Sequence, residues 1–275
     1  MNSSFKDKII IITGGSSGIG AAAAKELREK GANVVITGRS EKTKAVAEET
    51  GSDHFLVDYT RLSDVRKFAL ELLEKYPRID VLVNNAGGIF PDRRITPDGH
   101  EMIFQVNYLA AFLLTNLLRS RLEESHAVVI NSSSAGHMFG RLDFEDLDME
   151  KKFNPMRAYS NSKMMNILHA MEISRRFNGV SAASFHPGGV ATGFARSYTG
   201  IMKFIYESPF RHLYLISPLK GAETLLWLIE GTPGRDWTPG EYYFKKKPGR
   251  KNSQVNPTTA EKLWEISERL TEKYL

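Results

Sequence analysis

The stretch Ile9-Ile-Ile-Ile12-Thr13-Gly-Gly-Ser-Ser-Gly-Ile-Gly20 decides how this chain is read. Four consecutive isoleucines ending at a glycine turn predict a short strand, Lys8 to Thr13, buried on both faces. An alanine-rich segment reaching about Lys30 follows and predicts a helix. Between them, glycines at 14, 18 and 20 permit a tight turn and the close approach of a phosphate, while the helix start offers free N–H groups. The cradle residues are therefore Gly14, Ser16, Ser17, Gly18, Ile19 and Gly20.

Their spacing, Gly-x3-Gly-x-Gly, differs from the Gly-x-Gly-x-x-Gly of the commoner dinucleotide fingerprint, but the strand–loop–helix logic is similar. Outward from this loop, Asn33 to Thr37 reads as a second strand ending in Gly38-Arg39-Ser40. A dinucleotide's adenosine ribose would lie there; an acid would bond a free 2′-hydroxyl, whereas Arg39 suits a 2′-phosphate. A helix over 41–50 leads to a strand at His54 to Val57 and to Asp58-Tyr59. A helix over about 62–76, with apolar residues at helical spacing, stops at Pro77. Strand Ile79 to Val83 runs into Asn84-Asn-Ala-Gly87, and a helix around 99–119 carries Asn107 beside its apolar stripe. Strand His126 to Asn131 precedes Ser132-Ser-Ser-Ala-Gly136; a helix runs from Tyr159 to about Phe177; strand Val180 to Phe185 precedes His186-Pro-Gly-Gly-Val-Ala-Thr192. A seventh strand at Tyr242 to Phe244 and an amphipathic helix over 258–274 complete the series. Strand–helix alternation without repeats or linkers predicts an α/β fold of one domain, residues 1–275, with a doubly wound parallel sheet.

Composition sets bounds. The 275 residues are 41% hydrophobic and 25% charged, ordinary globular values, and long enough for a substantial core. A net charge of +5, from 37 basic and 32 acidic residues, is small for the length and does not point to nucleic acid. The chain has no cysteine, which excludes disulfides, thiol nucleophiles and cysteine-ligated metals. No signal-peptide core and no run of about 18 apolar residues is present, so a soluble cytoplasmic protein without a membrane span is expected. Seven histidines occur, none in a His-x-x-x-His pair, and no metal is expected.

Tyr159-Ser-Asn-Ser-Lys163 carries the candidate chemistry. Residues four apart share a helix face, so the phenol and the ammonium can converge. A nearby cation favours the phenolate; lowering a phenol pKa by three units takes about 4 kcal/mol. Ser134 could hold a substrate oxygen by its hydroxyl. The methionines that follow on this helix, Met164, Met165 and Met171, fit a core or a subunit contact.

Taken together, Thr13-Gly-Gly-Ser-Ser-Gly-Ile-Gly20, Asp58, Asn84-Asn-Ala-Gly87, Asn107, Ser134, Tyr159 with Lys163, and Pro187-Gly188 resemble the short-chain dehydrogenase/reductase family over most of the sequence. The resemblance implies a seven-stranded Rossmann-type fold in a single domain. It implies that Tyr159 is the general acid or base, Ser134 holds the substrate oxygen, Lys163 bonds the nicotinamide ribose and favours the tyrosinate, and Asn107 supports a proton relay. The family places its serine three residues beyond an asparagine, so Asn131 selects Ser134, with Ser133 as the fallback. The cofactor would meet the glycine loop, Arg39, Asp58 and Tyr59, Asn85, Ala86 and Gly87, Tyr159 and Lys163, and Pro187, Gly188, Val190 and Thr192. Arg39 resembles the arginine of members that prefer NADP(H) over NAD(H). The long interval from Ser134 to Tyr159, Ser134-Ala-Gly-His137, and Ala260-Glu-Lys-Leu-Trp264-Glu-Ile-Ser267 resemble the retinol-dehydrogenase-like branch, here as a soluble member without an anchor.

Two segments are read as substrate-side. The insert 138–158 offers apolar residues that could cover the site and acids expected to face water; the segment 193–216 is rich in aromatic residues. Together they suggest a bulky, largely apolar carbonyl or alcohol substrate. The basic run Lys245-Lys-Lys-Pro-Gly-Arg-Lys251 reads as a solvated loop. The function expected is NADP(H)-dependent hydride transfer between nicotinamide and a carbonyl/alcohol pair. The alternatives are an NAD-linked alcohol dehydrogenase and a non-catalytic nucleotide-binding protein. Apolar helices flanking the sheet are compatible with a homo-oligomer or a monomer.

Overall fold

The computed structural model describes residues 5–189 and 216–275. Strand β1 (Ile9–Ile12) is buried throughout, and its side chains alternate: Ile9 and Ile11 join the core on one sheet face, Ile10 and Ile12 the core on the other. Each such burial contributes roughly 1.5–3 kcal/mol. A strand apolar on both faces belongs in the middle of a covered parallel sheet. There it lies, between β2 (Asn33–Gly38) and β4 (Val81–Asn84), both parallel to it. With β3 (Asp53–Leu56), β5 (Val128–Ser132), β6 (Ser181–His186), β7 (Tyr242–Phe244) and β8 (Lys247–Pro248), the order is β3-β2-β1-β4-β5-β6-β7-β8.

The first seven strands are parallel, as the sequence predicts. The seven-strand expectation is corrected by one addition. β8 turns back antiparallel on β7, with Phe244 opposite Lys247. Two residues are too few to show a strand pattern; a tight turn makes this strand. That turn holds Lys245 at φ 50° and Lys246 at φ 62°, left-handed positions that favour Asn and Gly and cost other residues on the order of 1 kcal/mol each.

Helices α1 (Gly18–Glu29), α2 (Glu41–Thr50) and α3 (Leu62–Lys75) follow the first three strands. The predicted 99–119 helix is broken into α4 (Met102–Phe104), a π-turn over Gln105–Leu109 and α5 (Ala110–Leu117), with α6 (Arg119–Glu124) beyond. The π-turn contains Asn107, and such turns concentrate at functional sites. α7 (Pro155–Arg176) begins four residues before the predicted Tyr159 (159 − 155), because Asn154 caps it and Pro155 occupies its first turn. α8 (Pro218–Glu230), capped by Ser217 and packed on α1, has no counterpart in the sequence reading.

The terminal helix α9 (Pro257–Thr271) lies across α7. Trp264 packs edge-on against Phe112 with ring centroids 4.8 Å apart, and the Tyr108 hydroxyl meets Ser267 Oγ at 2.8 Å. Met164 and Met165 are fully enclosed, so they are core residues of this chain. Among the described residues no helix is long and apolar enough to cross a membrane.

Candidate active site

The strand order changes direction between β1 and β4, and in open parallel sheets the crevice at the carboxyl ends of such strands is where ligands bind. A cleft of 470 Å³ opens there, lined by Gly14, Ser16, Ser17, Gly18, Ile19, Arg39, Asp58, Tyr59 and Asn85-Ala-Gly87 among others. The volume lies within the range of cofactor sites.

Thr13 ties the two sides of the switch. Its Oγ1 accepts from the N–H groups of Asn85 and Ala86, each at 2.9 Å, and donates to the Val83 carbonyl. Asn85 Nδ2 donates back to the Thr13 carbonyl at 3.0 Å. Backbones approach closely here: a Cβ on Gly14 would lie 2.8 Å from Ala86 Cα, and one on Gly20 would lie 2.5 Å from the Gly14 carbonyl. Gly20 is thus required for loop packing and stands outside the cleft wall.

At its N-terminus α1 has no acidic residue in the first turn and no side-chain cap on its N–H groups. That end of the helix, with its positive dipole, faces the cleft and is open to an anion. Arg39 is exposed on the far rim, with no ion pair or hydrogen bond among the described residues. Asp58 Oδ1 is held by the N–H and hydroxyl of Thr60. The Tyr59 hydroxyl meets Thr37 Oγ1 at 2.7 Å, and burial holds it well above the usual phenol range. These residues fit a dinucleotide: donors without an internal anion at the loop, glycines where backbone must be approached, and a cation at the ribose end.

Asn107 and Lys163 meet the cleft at Gly87. A Cβ there would lie 3.0 Å from Asn107 Oδ1 and 3.5 Å from Lys163 Nζ. Asn107 exchanges two bonds with Gly88, Oδ1 accepting its N–H at 2.8 Å and Nδ2 donating to its carbonyl at 2.9 Å, and Nδ2 also reaches Ser162 Oγ at 3.1 Å. Lys163 donates to the Ser132 carbonyl at 3.1 Å, an acceptor it shares with Asn166 Nδ2. Burial pushes its ammonium down to about 8. Its Nζ lies 5.6 Å from the centre of the Tyr159 ring.

Ser134 caps the 3₁₀ turn Ala135–Phe139. A Cβ on Gly136 would lie 3.4 Å from Ser134 Oγ and 3.5 Å from Tyr159 Cε1, so the two side chains flank this glycine. The neighbouring serines are engaged elsewhere. Ser133 Oγ donates to the Lys163 carbonyl at 2.7 Å, and Ser132 Oγ to Asn85 Oδ1 at 3.0 Å. The geometry therefore prefers Ser134 to the Ser133 fallback. Behind the turn, the buried His137 ring places Nδ1 2.6 Å from the Ser134 carbonyl and packs edge-on to Tyr242.

The insert departs from its reading. Leu142, Phe144 and Leu147 pack on the main core rather than over the site, whereas Met149 and Phe153 join Phe90, Ile89 and Tyr159 in a small apolar cluster. Its acids do not all face water. Asp148 Oδ1 accepts the Glu101 N–H at 2.7 Å, and its Oδ2 lies 3.3 Å from His100 Nδ1, pinning the insert to the segment before α4. Two residues with no sequence signal hold the other flank. Asn252 Nδ2 reaches the carbonyls of His137, Met138 and Gly140 at 3.0–3.3 Å, and Gln254 bonds both backbone groups of Leu142. Pro187 and Gly188 follow β6, with Gly188 N–H on His186 Nδ1 at 3.2 Å; they do not line the cleft. Val190, Thr192 and all of 193–216 except Ile216 lie outside the described residues. No group of three potential metal ligands occurs among the described residues.

A glycine-looped cleft at the sheet's switch point, with buried Lys163 beside it at Gly87 and with Tyr159 and Ser134 flanking Gly136, is an arrangement suited to an oxidoreductase acting on alcohol and carbonyl groups. A family model described as short chain dehydrogenase matches residues 8–200, and the chain belongs to that family, in its retinol-dehydrogenase-like branch. It is 40% identical to a Streptomyces sp. (strain C5) protein named as a daunorubicin C-13 ketoreductase, over 94% of this chain and 91% of that one. It is 36% identical to human retinol dehydrogenase 11, covering 94% and 84% of the two chains. The solved structure of an uncharacterised protein from Mycobacterium paratuberculosis superposes with a TM-score of 0.78 at 30% identity, covering 98% of this chain and 95% of the other.

Proposed function

We propose that the protein is an NADP(H)-linked reductase of bulky, apolar carbonyl compounds, working as one domain. The observation that carries this reading is the buried Lys163 beside the Tyr159 ring, next to a cleft whose far rim offers Arg39 at the end of β2, with Gly38 and Ser40 rather than an acid on either side of it. When bound, the nicotinamide supplies the hydride in reduction and accepts it in oxidation. Tyr159 donates its phenolic proton to the carbonyl oxygen, or withdraws it from the alcohol. Ser134 donates a hydrogen bond to the same oxygen and fixes which way it points. Lys163, as a cation, favours the tyrosinate left behind and would hold the nicotinamide ribose. The Asn107 side chain is held by Gly88 and Ser162, next to the Lys163 ammonium at Gly87, where the residue supports the proton relay.

The loop residues Gly14 to Ile19 would hold the pyrophosphate, Asp58 the adenine amino group, and Asn85 to Gly87 the nicotinamide ribose. Pro187 and Gly188, with Val190 and Thr192, would complete the nicotinamide end. Phe90, Met149 and Phe153 around Tyr159 favour an apolar substrate body. The relatives' names, a daunorubicin C-13 ketoreductase and retinol dehydrogenases, support the same substrate class.

The test is NADPH and NADH consumption with aromatic and long-chain carbonyl compounds set against small sugars. Tyr159→Phe should lower kcat on the order of 10²–10⁴-fold. Arg39→Asp should weaken NADPH binding by about 10–100-fold and leave NADH binding unchanged. Equal loss for both cofactors would overturn the 2′-phosphate reading, and turnover confined to sugars would overturn the apolar one.

A further inference from the structure

The exposed tip of the β7–β8 hairpin carries a cluster of cations. Of its basic run, Lys251 is neutralised by Glu241 at 2.8 Å. Lys245, Lys246, Lys247 and Arg250 remain, all exposed and without an ion pair among the described residues. Four cations without an ion pair among the described residues thus sit within six positions of one another.

Aromatic side chains flank them. Phe244 is 37% exposed under the Lys245 ammonium, and Phe139 is 78% exposed, the most of any large apolar residue described. Phe139 lies nearby in the fold, because Asn252, just past the hairpin, bonds the carbonyls on either side of it at Met138 and Gly140. The face lies at the site's end of the molecule. β7 runs parallel to β6 and ends at the same sheet edge, where Phe244 stacks on His186 with centroids 4.7 Å apart, one residue before Pro187. Lysines also hold both left-handed turn positions, where Asn-Gly would be free of strain. Strain of this kind persists where the side chains themselves are needed.

We propose that the hairpin tip, with Phe139, docks the protein on an anionic phospholipid surface. The chemistry favours lipid over the other polyanions. The cations are mostly lysines on flexible stems at a protruding turn, interleaved with exposed rings. A headgroup layer takes both, the ammonium ions at the phosphates and the rings at the acyl boundary. Planar recognition of a nucleic-acid backbone or of an acidic protein motif uses clustered arginines, and this face has one. The proposal is independent of the reaction assigned above.

Co-sedimentation with phosphatidylcholine vesicles, with and without phosphatidylserine, tests it at low and physiological ionic strength. The wild-type protein should sediment with the anionic vesicles, less so as salt rises, and stay in solution with neutral ones. Each lysine near such a surface contributes roughly five-fold. Lys245→Gln/Lys246→Gln/Lys247→Gln should therefore lower partitioning on the order of 100-fold, with the thermal midpoint and NADPH binding unchanged. Phe139→Ser should lower it several-fold at constant charge. Lys245→Asn/Lys246→Gly relieves the turn and should raise stability while still weakening vesicle binding, which separates docking from folding. Wild-type protein left in solution with anionic vesicles at low salt, as an acidic protein partner would predict, overturns the proposal. So does equal binding by the lysine variants.

Discussion

Replacing Lys163 by methionine should leave the protein more stable and nearly inactive. The ammonium is enclosed, with the Ser132 carbonyl as its acceptor, and burial brings it from the ordinary 10.5 to about 8. That difference corresponds to about 3 kcal/mol of disfavoured charge in the folded state. Below pH 8 both folded and unfolded chains carry the proton, so the penalty is fully present. Between pH 8 and 10.5 the unfolded chain binds the proton and the folded one does not, so stability rises with pH until the penalty has gone. Methionine keeps the side-chain length and removes the charge, losing a hydrogen bond of about 1 kcal/mol. Urea unfolding of the ligand-free protein should show Lys163→Met more stable by about 2 kcal/mol at pH 7. That advantage should shrink by about 2 kcal/mol on going to pH 9.5. A gap that does not change with pH, or a variant less stable than wild type at pH 7, refutes the reasoning. The same titration bears on turnover: if the cation assists Tyr159, kcat/KM for reduction falls as pH rises through about 8.

Asn252→Ala removes the one amide that reaches three carbonyls of the Ser134 turn. It should cost about 1–3 kcal/mol in urea unfolding and lower kcat while leaving NADPH affinity unchanged. Asn252→Asp, which sets an acceptor against those carbonyls, should be worse on both counts. Trp264→Ala empties the contact between α9 and α7 and should destabilise by about 3–5 kcal/mol, read by thermal or urea unfolding, with NADPH affinity unaltered.

The fold was legible wherever one residue type had to meet one backbone demand. Ile9–Ile12 could only be a central strand, and the glycines after it could only be a close-packed turn. Asn154-Pro155 and Ser217-Pro218 are cap-and-proline signals of equal clarity, yet α7 was read from Tyr159 and α8 not at all. For α7 the weaker signal is the hydrophobic periodicity, which a helix buried on most of its surface does not display; α8 is amphipathic, and both its cap and its apolar face are legible in the sequence. The candidate site was legible in the sequence through Tyr159, Lys163 and the glycine loop, whose proposed roles depend on local spacing. Asn252, Gln254 and the inward turn of Asp148 were not, because each finds its partner across a large sequence separation. Ser133 and Ser134 are chemically alike; the resemblance favours Ser134, and in the structure the backbone carbonyl facing Ser133 sets the two apart.

The placement of α9 has a consequence for assembly. It covers α7 and Phe112 of α5 with Trp264, and is joined to the rest of the fold by a short segment fixed through Asn252. A second copy of the chain seeking the same apolar face would compete with a tethered ligand, whose effective concentration is on the order of millimolar or higher. Self-association through that face is thus opposed by the chain's own helix, and a homo-oligomer would have to be built from other surfaces.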